Sequence, residues 1–271
     1  MSFLTEREIN VIGIQRTGQH AITSWLIGHY DHVCYKNNMS QAGCPARKEQ
    51  GIQPPYWYFT PSLSDDWEVS EDQAIREDHT VILGTELTKL SFGLNPNLEA
   101  QRDKIAQSMG YEQFSRFRHY VLVIRNPYNH YASILNWSRN RQLSPVSHFK
   151  KMWKKMANEC LYCTDEFPFS KIVIPYDTWF SSRDFREEVA KKLDLELNDR
   201  RLNTVMKIGV GKSWGSSFDG MKKNEKAQDM DVLKRWVKVR NDPRFSELLE
   251  DDEIARLSGC FGWERPECVE A

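Results

Sequence analysis

Apolar, β-branched runs bounded by polar residues recur along the chain at 9–14 (INVIGI), 80–85 (TVILGT), 119–125 (HYVLVIR) and 171–175 (KIVIP). None alternates between apolar and polar positions as a strand with one wet face would. Each therefore predicts a short strand buried on both faces, the habit of a parallel sheet covered by helices. Between and after them, apolar residues return at helical spacing over about 19–30, 102–117, 129–139, 146–165, 182–193 and 197–207. Strand and helix in alternation predict an open α/β sheet, flanked by helices, in one domain spanning 1–271. One segment breaks the rhythm: residues 36–79 are rich in Pro, Gly, Gln and Asp, with Pro54, Pro55, Trp57, Tyr58 and Phe59 clustered inside. A long irregular insertion between the first two sheet strands predicts a functional or mobile segment rather than part of the frame.

Composition narrows the picture without redrawing it. With 271 residues, 40% of them hydrophobic and 28% charged, the chain can bury one sizeable core and reads as an ordinary soluble globular protein. A net charge of −1 offers no global field to recruit nucleic acid or an anionic membrane, so anion binding must come from local clusters. Met1 to Glu8 is polar and mixed in charge, and no apolar run approaches the roughly 18 residues a membrane helix needs. A cytoplasmic protein, monomeric or homodimeric, is the expectation. Among the 6 cysteines, Cys160 and Cys163 have CxxC spacing, but they continue the stripe Phe149, Trp153, Met156 along one helix face, opposite Lys150, Lys151, Lys154 and Lys155. With no second CxxC and no paired histidines to complete a metal site, they are expected to be buried, reduced thiols, and no metal is expected.

The chemistry begins where the first strand ends, in Ile14-Gln15-Arg16-Thr17-Gly18-Gln19-His20-Ala21. Beyond the carboxyl end of a strand in an open α/β sheet, a helix N-terminus presents unpaired backbone N–H groups to an anion. Gly18 permits close backbone approach, Thr17 offers a hydroxyl, and Arg16 brings a fixed charge with a planar donor fork. A phosphate or sulfate suits that combination. The same layout recurs at Arg125-Asn126-Pro127, with Arg125 closing a buried strand, Pro127 opening the next helix, and Ser133 in that helix's early turns. The helix folds Ser133 back so that guanidinium and hydroxyl converge on a second anion. Two such cradles at one sheet edge imply a ligand with two separated anionic groups.

The pair resembles the cofactor loops of sulfotransferases that use 3′-phosphoadenosine 5′-phosphosulfate (PAPS). There a [KR]-[ST]-G loop holds the 5′-phosphosulfate, and R-x-P followed by a Ser eight residues after the Arg holds the 3′-phosphate, spacings matched by Arg16-Thr17-Gly18 and by Arg125 with Ser133. Downstream, Pro175-Tyr176-Asp177-Thr178 is similar to the family's Tyr-Glu-Asp element, and Ser216-Ser217-Phe218-Asp219-Gly220-Met221 to the Thr-Ser-Phe stretch of its cytosolic small-molecule branch. Val189–Leu195 is similar to its Phe-Leu-Gly-Leu helix, and Lys234-Arg235-Trp236 with Arg244-Phe245 stand where that branch has a Trp-containing loop and a closing helix. The resemblance implies a P-loop-like sulfotransferase architecture. It also implies that Arg16, Thr17, Gly18, Gln19, His20 and Ala21 surround the phosphosulfate, that Arg125 and Ser133 hold the 3′-phosphate, and that Tyr176, Ser217 and Phe218 hold the adenosine.

Sulfuryl transfer needs a base for the acceptor proton and positive charge on the departing phosphate. Arg16 meets the second demand. The family's base lies just past the strand that follows the acceptor-binding insertion, which here is Glu86, preceded by Thr85. Its competing reading is a helix cap or a partner for Lys89. His20, at the helix start, is the rival base, whereas His130 reads as an ordinary surface or satisfied histidine. Three departures weaken the transfer of roles: Ala21 replaces a Trp that packs on adenine, Gly84 replaces a Lys two residues before the base, and the late Arg-Lys-Gly loop is absent, leaving Lys226, Lys234 and Arg235 as substitutes. Gly209-Val210-Gly211-Lys212-Ser213 ends like a nucleotide triphosphatase loop but has Met206 where the first Gly belongs. The expected activity is PAPS-dependent sulfation of a hydroxyl or amine on a small molecule that enters over 36–79, releasing adenosine 3′,5′-bisphosphate. The acidic run Asp65 to Asp78 leaves open a cationic acceptor or a merely solvated loop. Two other readings stand beside it: a small-molecule kinase, which would need Mg²⁺ and a Lys-Ser/Thr loop ending, and a silent nucleotide-binding module.

Overall fold

The fold is that of a computed structural model, which describes residues 1–36, 57–61, 68–70, 78–87, 102–104, 106–138, 145–204, 228 and 231–267. Strand β1 (Phe3–Ile14) leads into helix α1 (Gln19–Ile27), followed by β2 (His32–Lys36), β3 (Trp57–Pro61), β4 (Glu68–Ser70), β5 (Thr80–Leu87) and β6 (Gln113–Ile124). Then come α2 (Pro127–Ser138), α3 (Val146–Cys160), β7 (Ile172–Pro175), α4 (Tyr176–Ser181) and α5 (Arg183–Lys192), and finally a 3₁₀ turn (Arg235–Val239), α6 (Pro243–Leu249) and α7 (Asp252–Gly259).

The strands form a 7-stranded sheet in the order β4-β3-β2-β5-β1-β6-β7. The five strands β2-β5-β1-β6-β7 run parallel, while β3 and β4 add an antiparallel edge. The double-sided burial expected of β1, β5 and β6 is met by a helical layer on each face. Ile12, Ile14, Leu122 and Ile124 pack with Leu135, Phe149, Trp153, Phe245 and Leu257 on one side. On the other, Ile9, Val11, Val121 and Val123 pack with Ile22, Trp25, Trp179 and Val189. Successive strand residues feed opposite layers, as the two-residue repeat of a pleated strand requires.

Several elements depart from the sequence pattern, each for a tertiary reason. β1 begins at Phe3 rather than near residue 9 and carries a fully buried Glu8. That carboxylate is held by Arg118 at 2.8 Å, Arg102 at 2.8 Å, Ser115 at 3.0 Å and Asn10 at 2.9 Å, so the charge at this point of the strand is interior although Glu6 beside it is exposed. β6 begins at Gln113, within the stretch whose spacing suggests a helix to 117, because it extends alongside the lengthened β1. Residues 36–79 carry the short strands β3 and β4, and β2 just before them joins the parallel set. No helix forms over the described residues 197–204. Helix α3 stops at Cys160, so that Cys160 is buried while Cys163, beyond its end, is exposed. On the outer face of α3, Lys150 and Lys154 lie 3.2 and 2.9 Å from Asp251, which also caps α7.

Candidate functional site

Because β5, β1, β6 and β7 are adjacent and parallel, their carboxyl ends share one edge. In register there, Gly13 faces Glu86 on β5 and Val123 on β6, and Ile124 faces Pro175 on β7. Glu86, the loop after β1, Arg125 and Tyr176 thus stand side by side, where ligands of open α/β sheets bind.

The loop turns tightly. Thr17 N–H donates to the Ile14 carbonyl at 3.1 Å, and both Arg16 (φ 73°) and Gly18 (φ 95°) are left-handed. Gly accepts that conformation freely, but Arg16 holds it at a cost of about 1–2 kcal/mol. Gly18 is also sterically required, because a Cβ there would sit 2.5 Å from the ring of Tyr176. Gly13 is equally confined: its Cβ would collide with the Thr17 hydroxyl and lie 3.2 Å from the Gln19 amide oxygen. The buried Thr17 Oγ1 and both Gln19 amide atoms find no hydrogen-bond partner. Each such buried group costs about 1–3 kcal/mol, and an anion seated on the loop would recover the two donors among them, the Thr17 hydroxyl and Gln19 Nε2.

Glu86 lies inside β5 and is 3% exposed, so it caps no helix; Lys89 lies outside the described residues. Burial pushes its carboxyl from 4.5 to about 7, with Arg16 pulling the other way. Reciprocally, burial and the nearby Arg125 lower Arg16 to about 10 while Glu86 raises it, and the guanidinium stays charged at neutral pH. A carboxyl that titrates near neutrality beside a fixed cation is a competent proton acceptor.

The second cradle is more tightly built. Arg125 is 2% exposed; its Nη1 donates to the Ser133 hydroxyl at 3.1 Å and to the Arg16 carbonyl at 3.4 Å, and its Nη2 donates to the Val232 carbonyl at 2.5 Å. Its guanidinium lies over the Tyr176 ring, 4.9 Å from the centroid. A second guanidinium, from Arg235 in the 3₁₀ turn, reaches the same Ser133 hydroxyl at 2.9 Å, and that hydroxyl donates to the Asn129 carbonyl at 3.1 Å. Two arginines converging on one hydroxyl make a strongly positive, partly dry spot. Asp177 fixes the turn between β6 and α2, accepting from Asn126 N–H at 2.8 Å and from Asn129 Nδ2 at 3.1 Å; the same Nδ2 donates to the Leu233 carbonyl at 2.7 Å. Burial raises the Asp177 carboxyl, while Arg125 opposes that shift.

Of the residues named from the sequence, Arg16, Thr17, Gly18, Gln19, Glu86, Arg125, Ser133 and Tyr176 come together at this edge. His20 and Ala21 follow in the first turn of α1, both partly exposed. Ser217 and Phe218, Lys226, and the 209–213 stretch lie outside the described residues. Of the substitutes for the late Arg-Lys-Gly loop, Arg235 reaches Ser133, whereas Lys234 is exposed. His130 corrects the expectation of a surface or satisfied histidine. It is fully buried, its Nε2 lies 2.7 Å from the Gln15 carbonyl, its ring meets Phe149 edge-on, and its Nδ1 has no partner. Helical spacing from Pro127 gave no hint that this turn of α2 faces the loop after β1. Asn129 and Asp177 were likewise hidden, because their partners lie on other elements. Among the described residues no cluster of His, Cys, Asp and Glu suited to a metal ion occurs, and no helix is long and apolar enough to cross a membrane.

No protein-family model matches the chain, and no curated protein matches it either. Among solved structures it is similar to the sulfotransferase domain of the Synechococcus PCC 7002 olefin synthase, at TM-score 0.52 and 13% identity over 97% of each chain. It is similar to the sulfotransferase domain from the curacin biosynthetic pathway to the same degree, TM-score 0.52 and 13% identity, over 98% of this chain and 100% of that one. The chain therefore has the α/β fold of sulfotransferase domains.

Proposed function

We propose that this chain, built on the fold of sulfotransferase domains, transfers a sulfuryl group from PAPS to a hydroxyl or amine of a small-molecule acceptor. The observation that carries the reading is the contiguity of the two anion cradles: Arg125 touches the Arg16 carbonyl on one side and the Ser133 hydroxyl on the other. A ligand with anions on two arms of one nucleoside fits such a pair. A triphosphate, whose anions lie in a single run, does not need the second cradle.

In this reading Arg16, the Thr17 hydroxyl, the Gln19 amide nitrogen and the backbone N–H groups at the start of α1, from Gly18 to His20, hold the phosphosulfate, with Ala21 beside them. They stabilise charge on the departing phosphate. Arg125 and Arg235, both oriented by Ser133, hold the 3′-phosphate, so that Arg235 does the work of the missing Arg-Lys-Gly loop. Tyr176, packed between Gly18 and Arg125, borders the adenosine together with Ser217 and Phe218. PAPS supplies the sulfuryl group. Glu86 takes the acceptor proton in its ionised form, with His20 as the alternative base, and the acceptor enters past residues 36–79.

Calorimetry with adenosine 3′,5′-bisphosphate against ATP plus Mg²⁺ tests the donor class: preference for the bisphosphate without metal is expected, and preference for Mg·ATP would establish the kinase reading instead. Transfer of label from PAPS to panels of alcohols and amines, with Glu86→Gln and His20→Ala beside the wild type, tests the activity. Bisphosphate binding without turnover on any acceptor would leave the silent binding module as the answer.

A further inference from the structure

We propose that His130 is a positioning residue for the loop after β1, clamping the Gln15 carbonyl so that the loop is held ready for an anion before any ligand arrives. The inference rests on reading residues 15–18 as the anion loop of the proposed sulfotransferase.

Two consecutive carbonyls of this loop are held by side chains from the neighbouring strand and helix. His130 Nε2 donates to the Gln15 carbonyl at 2.7 Å, and Arg125 Nη1 donates to the Arg16 carbonyl at 3.4 Å. Turning these carbonyls towards α2 fixes the peptide planes on both sides of Arg16, the residue with φ 73°. A left-handed, non-glycine conformation persists only where its surroundings over-determine it. Backbone N–H groups along a turn with left-handed residues at 16 and 18 also form a concave nest for anions.

The histidine is placed for this task alone. It is fully buried, Phe149 meets its ring edge-on at 5.0 Å between centroids, and its Nδ1 makes no hydrogen bond, so the hydrogen bond its side chain makes goes to the loop. Donation from Nε2 requires the tautomer with hydrogen on that nitrogen. The ring stays neutral, since burial and the charges of Arg125 and Arg16 depress its pKa to about 3 against the opposing Gln15 bond. His130 also shares helix α2 with Ser133, so one helix sets the geometry of both cradles.

The test compares wild type with H130Q and H130N. Glutamine carries its amide nitrogen where the imidazole Nε2 stood; asparagine stops one bond short. Amide hydrogen exchange of the ligand-free protein is followed in the Ile14–Ala21 peptide, with α7 as the remote reference. For H130N, loop exchange is expected to accelerate about tenfold while α7 is unchanged. A tenfold rise in the opening equilibrium weakens adenosine 3′,5′-bisphosphate by at most about tenfold, with kcat within about threefold of wild type. H130Q keeps both readouts within about threefold. Unchanged loop exchange in H130N, equal loop opening in H130Q and H130N, or acceleration spread equally over loop and α7 would each overturn the proposal. The outcomes separate from the parent reading: a wild type that ignores the bisphosphate sinks the donor assignment, while loop exchange still decides the role of His130.

Discussion

Replacing Glu86 with Gln tests the electrostatics of the site with the least structural damage, because the amide keeps the shape and loses the charge. In the fold the carboxyl titrates at about 7 rather than 4.5, chiefly because burial penalises the ionised form. At ~1.4 kcal/mol per pH unit, that difference corresponds to about 3 kcal/mol of folding stability. The sign follows from which state holds the proton. Between pH 4.5 and about 7 the unfolded chain has released it and the folded chain retains it, so stability falls as pH rises and levels off above about 7. Glu86→Gln cannot ionise and escapes this loss. Urea unfolding of both proteins from pH 4.5 to 8.5 should show the variant gaining on the wild type by about 3 kcal/mol across that window, with the difference flat above it. Taking the difference cancels His130, whose depressed pKa acts in the opposite direction, removing stability as pH falls below its ordinary 6.5. The stabilised variant should also lose turnover by a factor of about 10²–10⁴, the usual contribution of a general base. A stability difference that does not change with pH would refute the reasoning, since Glu86 would then titrate as an exposed carboxylate does.

The other expectations concern the two cradles and the thiols. Arg235→Ala should weaken adenosine 3′,5′-bisphosphate about 10–100-fold while leaving adenosine 5′-monophosphate nearly unaffected, because only the 3′-phosphate would meet that guanidinium; calorimetry with the two nucleotides decides. Gly18→Ala should cost about 2–4 kcal/mol in chemical unfolding and abolish nucleotide binding, since it strains a residue at φ 95° and drives a methyl group into the Tyr176 ring. Gly13→Ala should displace Thr17 and Gln19 and so weaken anion binding more than it lowers stability, a balance read by comparing Kd with the urea midpoint. Brief treatment of the folded protein with iodoacetamide should label Cys163 and Cys260, which are exposed, and spare Cys34 and Cys160, which are buried; peptide mass mapping reads the outcome.

Much of this organisation is written locally. The apolar runs at 9–14, 80–85 and 119–125 suit strands buried on two faces, and Arg16-Thr17-Gly18 and Arg125-Asn126-Pro127 mark the turns that leave them, because turn chemistry and strand burial depend on neighbours in the chain. Glu86 was readable as a base candidate only through the family resemblance, which places that role just past the strand after the insertion. What adjacent residues cannot encode is which strand lies beside which, and on that order the site depends. The sequence β5-β1-β6-β7 across the sheet sets Glu86 next to Arg16 and Arg125 next to Tyr176. It also turns His130 inward onto Gln15 and brings Arg235, 102 residues from Ser133, onto the same hydroxyl. Glu8 makes the same point at the far end of the sheet: in the chain it belongs to a polar leader, but in the fold it is an interior charge, because Arg102 and Arg118 arrive from elements about a hundred residues away to offset the cost of its burial. Composition and spacing determined the central runs of β1, β5 and β6 and the turns after β1 and β6; long-range pairing decided how far β1 and β6 extend, which charges meet and how far their proton affinities move.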